Sequence, residues 1–143
     1  MKIRVLLVDD EKEFVDVLAE RLETRDFDVS KAYSGDEAIA ALKEKKIDVV
    51  ILDVLMPVKD GVETLREMKA LQPIVEVIML TGNATVESAV EGMKIGAYDY
   101  LMKPAETKDL VEKIAKAYKR KAEQEERIRQ AEIERIMQRK GWA

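Results

Sequence analysis

The sequence predicts a doubly wound α/β fold on five parallel strands, and three observations predict it. Apolar runs of strand length at 3–8, 47–52 and 75–80, with weaker ones near 28–32 and 98–102, alternate with segments of helical periodicity. The runs at 3–8 and 47–52 are nearly continuous and rich in Val, Ile and Leu, as strands covered on both faces require. Both end in acids: the first stops at Asp9-Asp10 and the other at Asp53.

Each element has its own signal. Phe14, Val17, Leu18 and Leu22 share one face of a helix from about 11 to 24. Asp28-Val29-Ser30-Lys31-Ala32 is short and polar, which suits an edge strand. Ser34 followed by Glu37 is a capping box opening a helix that turns Ala38, Ala41 and Leu42 inward. Val62, Leu65 and Met68 mark a third helix, and Pro73 blocks its extension. A fourth runs from about 85 to 95 and ends at Gly96, a residue suited to the left-handed conformation after a helix. Thr107 is placed to cap a fifth, with Leu110, Val111 and Ile114 facing the sheet. Strand and helix alternating five times imply a parallel sheet with helices on both faces. Five strands within residues 1–118 suit the flavodoxin-like order 2-1-3-4-5, whose switch point lies between the first and third strands. Those two strands carry the acids, so the carboxylates converge in the crevice where such sheets bind ligands. Three carboxylates at close quarters stay ionised together only with a cation between them.

Composition narrows the chemistry. The chain has 143 residues, no cysteine, no histidine and a net charge of −4. Disulfides, thiolate metal sites, histidine acid–base catalysis and His-ligated zinc are excluded, leaving oxygen ligands for a hard cation. No apolar stretch is long enough to span a bilayer, so no membrane contact is expected and a cytoplasmic location is. The negative charge argues against direct binding of nucleic acid.

The charge is uneven. Residues 1–118 hold 17 basic and 24 acidic side chains, a net −7, whereas from Lys119 onward there are 8 basic and 5 acidic. Residues 1–118 are therefore assigned to one domain and 119–143 to a charged helical C-terminal extension, continuous with the last helix. Glu123–Arg127 and Glu125–Arg129 have the spacing of stabilising helical pairs. The apolar residues of the tail keep no clean heptad. Gly141 after Arg139-Lys140 has the form of a helix end, which favours a natural single-domain protein over a longer regulator cut within a helical linker.

Four pieces of the chain resemble the receiver domain of bacterial two-component response regulators. They are Val8-Asp9-Asp10-Glu11; Leu52-Asp53-Val54-Leu55-Met56-Pro57 with Asp60-Gly61 behind it; Leu80-Thr81-Gly82; and Gly96-Ala97-Tyr98-Asp99-Tyr100-Leu101-Met102-Lys103-Pro104. Alone, each has a plain reading: acids that cap helices, a turn threonine, a solvated lysine. Together, each at a predicted strand end, they make a site. The resemblance implies that Asp53 is the phosphoacceptor, fed by a phosphohistidine of a sensor histidine kinase or phosphotransfer protein, or by a small acyl phosphate. It implies Mg²⁺ held by Asp10 directly, Asp9 through water, Asp53 and the Leu55 backbone carbonyl. Lys103 would pair with the phosphoryl oxygens and Thr81 would hydrogen-bond one of them. The Lys103–Pro104 bond would be cis. Tyr100 would swing inward with Thr81, reshaping a face of the fourth helix, last strand and last helix for an effector or a second copy. Leu55 and Asn83 would tune the phosphoryl lifetime. Neither supplies a charged base for water, so self-dephosphorylation is expected to take minutes or longer. On this reading the protein is not an enzyme beyond its own phosphorylation and dephosphorylation. The methionines Met56, Met68, Met79, Met93 and Met102 are read as core or loop filler.

Two other classes fit less well. A small-molecule phosphatase of the haloacid dehalogenase kind carries a second Asp two residues after its nucleophile, where this chain has Leu55. A flavin carrier on the same fold would not place acids where phosphate must sit.

Overall fold

The computed structural model describes residues 2–56, 60–82 and 86–142. The elements are β1 (Arg4–Val8), α1 (Lys12–Glu23), β2 (Asp28–Ala32), α2 (Gly35–Glu44), β3 (Val49–Leu52), α3 (Gly61–Leu71), β4 (Glu76–Thr81), α4 (Val86–Ile95), β5 (Asp99–Met102) and α5 (Thr107–Arg139). The strands form one sheet in the order β2-β1-β3-β4-β5, every neighbouring pair parallel. This is the doubly wound, flavodoxin-like order expected from the sequence.

Alternation along the strands splits the core into two layers. Leu6, Val8, Val50, Leu52, Val77 and Met79 face α2 and α3, where Leu42, Leu65 and Met68 close the layer. Val5, Leu7, Val49, Ile51, Ile78 and Leu80 face α1 and α5, where Leu22, Leu110 and Ile114 do the same. The three central strands are buried along their length apart from Arg4. That explains their nearly unbroken apolar sequence. β2 is largely open, as an edge strand is.

The helix starts are locally specified. Ser34 Oγ accepts from Glu37 N at 3.1 Å, while the Glu37 carboxylate accepts from Tyr33 N, one residue further out than an ideal capping box. Asp60 caps α3 by accepting from Glu63 N at 2.8 Å. Gly96 follows α4 with φ +126°, a conformation a β-carbon disfavours. Beyond Arg139, Gly141 adopts φ +73° and Trp142 N donates to Met137 O at 2.8 Å, the bonding that closes a helix over a left-handed residue.

Three expectations are corrected. The inward face of α1 is Val15, Leu18, Ala19 and Leu22; Val17 is exposed and Phe14 half-buried. The arc is rotated because α1 lies between the sheet and solvent, with Phe14 at its margin. Thr107 is the first helical residue of α5, not its cap, and Glu106 at the cap position makes no side-chain cap bond. In the tail Arg129 pairs with Glu126, not Glu125, and Arg127 bonds Gln124, not Glu123. Lys121 takes Glu125 instead.

That last contact belongs to a joint at the base of the sheet. Asp48 is buried and accepts from Arg4 N at 2.9 Å, from the Arg4 guanidinium through both oxygens at 3.0 Å, and from Lys121 Nζ at 3.0 Å. Beside it the Arg120 guanidinium makes a two-toothed pair with buried Glu76 and lies 4.6 Å from the centre of the Tyr98 ring. α5 is thus tied to β1, β4 and the residue before β3 before it runs on into solvent. Among the described residues, no helix is long and apolar enough to cross a membrane.

Candidate functional site

Strand register builds the site. Val8 pairs with Leu52, so Asp9 and Asp53, the next residues, lie level at one rim, and Asp53 N donates to Val8 O at 2.9 Å. Thr81 ends β4 and pairs with Met102 of β5, which places Lys103 immediately beyond; Lys103 N donates to Thr81 O at 2.9 Å. Four strand ends therefore deliver Asp9, Asp10, Asp53, Thr81 and Lys103 to one place. The Lys103–Pro104 peptide bond is cis.

One carboxylate oxygen from each of Asp9, Asp10 and Asp53 lies within 4.8 Å of the others. Asp9 and Asp53 are buried and Asp10 is exposed. Asp53 Oδ1 accepts from Leu55 N at 3.2 Å, and Asp9 Oδ1 accepts from Glu11 N at 3.0 Å. Thr81 is also buried, and its hydroxyl favours the ionised form of Asp53. Lys103 Nζ donates to Asp9 Oδ2 at 2.6 Å and to Glu11 Oε1 at 3.3 Å, and stands 4.0 Å from Asp53 Oδ2.

Burial and then the negative charge of Asp9 push the Asp53 carboxyl up to about 6, against the Leu55 N–H, the Lys103 charge and the Thr81 hydroxyl. Burial works against the Lys103 ammonium, but the bond to Asp9 and the surrounding carboxylates hold its pKa above the ordinary lysine value. One lysine thus faces several acids. The residues suit a hard divalent cation, which prefers carboxylate oxygen and accepts an open, partly hydrated site.

Gly61 fixes the loop after Asp53. Its N–H donates to Val54 O at 2.7 Å, and a β-carbon there would sit 2.3 Å from Asp53 O and 2.4 Å from Val54 Cα. Leu55 is half exposed. Asn83 and Pro57 lie outside the described residues. Tyr100 is half-buried; its hydroxyl donates to Met102 Sδ at 2.8 Å, and its ring lines a groove with Ala89, Val90 and Met93. Met56, Met68 and Met79 are core residues, whereas Met93 and Met102 are exposed on this side. Sequence reasoning put Phe14 on the packing face of α1 and Glu11 in a motif, but gave neither a part in holding Lys103. The Phe14 ring lies beneath Lys103, a contact that spans 89 residues and leaves no local signal.

The model of the response regulator receiver domain matches residues 5–115. The chain belongs to that family. Among its relatives is the transcriptional regulatory protein ZraR of Salmonella typhimurium, 42% identical over 116 residues, covering 81% of this chain and 26% of ZraR. A CheY-like receiver domain protein from Methanospirillum hungatei is 30% identical with a TM-score of 0.83, covering 87% of this chain and 99% of that one. A response regulator from Burkholderia pseudomallei, solved with a phosphorylated aspartic acid, calcium ion and citrate, is 26% identical with a TM-score of 0.76, covering 99% of this chain and 88% of that one. The receiver therefore spans about a quarter of the ZraR relatives.

Proposed function

We propose that this receiver accepts a phosphoryl group on Asp53, in a Mg²⁺-dependent reaction, from a phosphohistidine of a sensor kinase or phosphotransfer protein. The observation that carries the reading is the convergence of Asp9, Asp10 and Asp53 with Lys103 and Thr81 at the carboxyl rim of the sheet. The Burkholderia relative, with its phosphorylated aspartic acid and calcium ion, supports it.

In the reaction an Asp53 carboxylate oxygen bonds to phosphorus as the phosphorus–nitrogen bond breaks, the imidazole leaving with the electron pair. An acyl phosphate would react in the same way, its carboxylate leaving. Asp53, with its carboxyl at about 6, is mostly ionised at neutral pH and able to attack. Asp9, Asp10, Asp53 and the Leu55 carbonyl would hold Mg²⁺, which when bound supplies charge neutralisation at the transferring oxygens. Lys103 turns from Asp9 to the phosphoryl oxygens, and the Thr81 hydroxyl follows it there. Tyr100 then moves with Thr81 and changes the face of α4, β5 and α5, where Val90, Met93 and Met102 are exposed and ready to meet an effector or a second copy. The half-exposed Leu55 carries no base, which favours self-dephosphorylation over minutes or longer. The receiver turns over no other substrate.

The difference in length from ZraR favours a second reading. Residues 1–118 would be the input module of a longer regulator, and residues 119–143 the helical connector.

Acetyl phosphate and Mg²⁺ test the reading on wild type and Asp53→Ala, with intact mass and size followed together. One added phosphoryl group on wild type and none on the variant is the expected result. Equal labelling of the two proteins, or none on wild type, would end it.

A further inference from the structure

The Lys103 ammonium is held by more than carboxylates. Its Nζ lies 4.1 Å from the centre of the Phe14 ring, over the face, as well as 2.6 Å from Asp9 and 3.3 Å from Glu11. Phe14 is half-buried, packed against the layer that holds Leu7, Val15 and Leu80. It also lines a narrow void shared with Asp9 and Asp53. The Lys103 side chain is only 15% exposed.

We propose that Phe14 is a positioning residue for Lys103, its ring face keeping the ammonium at the rim while the carboxylates change partners. The inference rests on the function proposed above. Lysine carries a compact charge on a flexible stem, so its reach alone does not fix where the charge sits. Asp9 fixes it in this structure, but Asp9 also belongs to the acid group that would take up a cation. Once its charge is answered there, its hold on Lys103 weakens. The ring is a partner that neither a cation nor a phosphoryl group removes, because an aromatic face attracts a cation through its quadrupole and has no charge to neutralise. It also covers one side of the ammonium and leaves the N–H groups directed at oxygens. Asp53 Oδ2 stands 4.0 Å away, so a shift of about 1 Å brings Lys103 into hydrogen-bond range. Without the ring the side chain spreads over more rotamers, and the reaction slows by the fraction of time it is misplaced.

Phe14→Leu, Phe14→Met and Phe14→Tyr test this. Leu and Met keep apolar bulk and lose the ring; Tyr keeps the face. The first measurement is the shift of the Lys103 ε-methylene protons, which the ring current should move upfield in wild type and Phe14→Tyr but not in the other two. The second is the rate of Asp53 phosphorylation by acetyl phosphate at saturating Mg²⁺. We expect a fall of about 5- to 30-fold in Phe14→Leu or Phe14→Met, whichever folds by circular dichroism, and recovery in Phe14→Tyr. A folded variant lacking the ring but labelled at the wild-type rate overturns the inference alone, as does an unshifted Lys103 in wild type. Wild type that takes no phosphoryl group overturns the functional reading, and this inference falls with it.

Discussion

Replacing Asp48 with alanine should cost this receiver about 3–5 kcal/mol of folding stability. The figure follows from what the carboxylate holds. It accepts from Arg4 N, from both sides of the Arg4 guanidinium and from Lys121 Nζ, and it is itself 2% exposed. Removing it strands Lys121, whose side chain is 9% exposed and keeps only half-exposed Glu125. The Arg4 side chain is 34% exposed and recovers some hydration, so the loss stays within the range for breaking one buried pair. Against a total of roughly 5–15 kcal/mol for a domain, the urea midpoint should fall by a large fraction. Lys121→Met leaves Asp48 with Arg4 and should cost less, about 1–3 kcal/mol. The double variant Asp48→Ala/Lys121→Met should cost less than the two single losses combined, because the Lys121 charge is no longer left behind without Asp48.

The pH dependence has a definite sign. Burial tends to raise the Asp48 carboxyl, but the bonds from Arg4 and then Lys121 outweigh it and hold the group below the usual carboxylate range. Its folded value is therefore below its unfolded one, about 3.9. The stabilisation is complete above that value and is lost as the pH falls through the lower, folded value. Urea unfolding at pH 7 and in steps below pH 4 measures both effects. Two results would refute the reasoning: an Asp48→Ala midpoint within about 1 kcal/mol of wild type at pH 7, or an unchanged acid limb. The same variant should increase amide exchange in residues 119–139, which extend from the joint as a mostly exposed helix. Most of a helix's stability in a protein comes from tertiary packing, and beyond the joint this segment has little.

Other outcomes follow from the site and core. Gly61→Ala should destabilise by about 3 kcal/mol or more in thermal unfolding, because its β-carbon would meet backbone at 2.3 and 2.4 Å; it should also weaken Mg²⁺ binding by calorimetry as the Asp53 loop shifts. Asp53→Asn should raise the melting temperature of the metal-free protein at pH 7. The Asp53 carboxyl titrates at about 6 in the fold, so its contribution to stability is full below the unfolded carboxylate value and lost as the pH rises through about 6. The asparagine variant should lack that decline. Ile114→Ala, at a fully buried position under β4, should cost about 2–5 kcal/mol in urea titration without altering Mg²⁺ affinity.

What was legible in the sequence is what is written in short stretches. The five strands, their order and the level of Asp9 with Asp53 follow from apolar runs and the acids that end them, because a parallel strand places its last residue at the same rim as its neighbour. Thr81 and Lys103 came from motif and position at strand ends. The base of the sheet was not legible. Asp48 reads as one polar residue inside an apolar run, and Lys121 as one more charge in a charged helix, yet they meet across 73 residues. The helical period places Lys121 on the same face as Ile114 and Ala117, and that face is buried to its end; a lysine there needs an acid beneath it. Val17 shows the opposite limit: apolar identity alone puts it on the inward arc of α1, but a valine at the arc's edge stays in solvent.

The two ends of the sheet obey opposite electrostatic rules, and that contrast is the strongest argument for where function lies. At the base each buried acid has its cation: Asp48 has Arg4 and Lys121, and Glu76 has Arg120. Such pairs hold their charges fixed, and a change of state there would leave a buried charge unanswered. At the rim Asp9, Asp53 and Glu11 gather around Lys103, with Asp10 beside the first two, so positive charge falls short of negative. The shortage is visible at Asp53, whose carboxyl rises to about 6 while that of Asp48, equally out of water, is lowered. A fold under no constraint but stability would not concentrate more acids than cations at a strand end. The imbalance makes sense if a divalent cation supplies the missing charge. It also leaves Lys103 with more than one acid within reach, as the proposed exchange of partners during phosphoryl transfer would need.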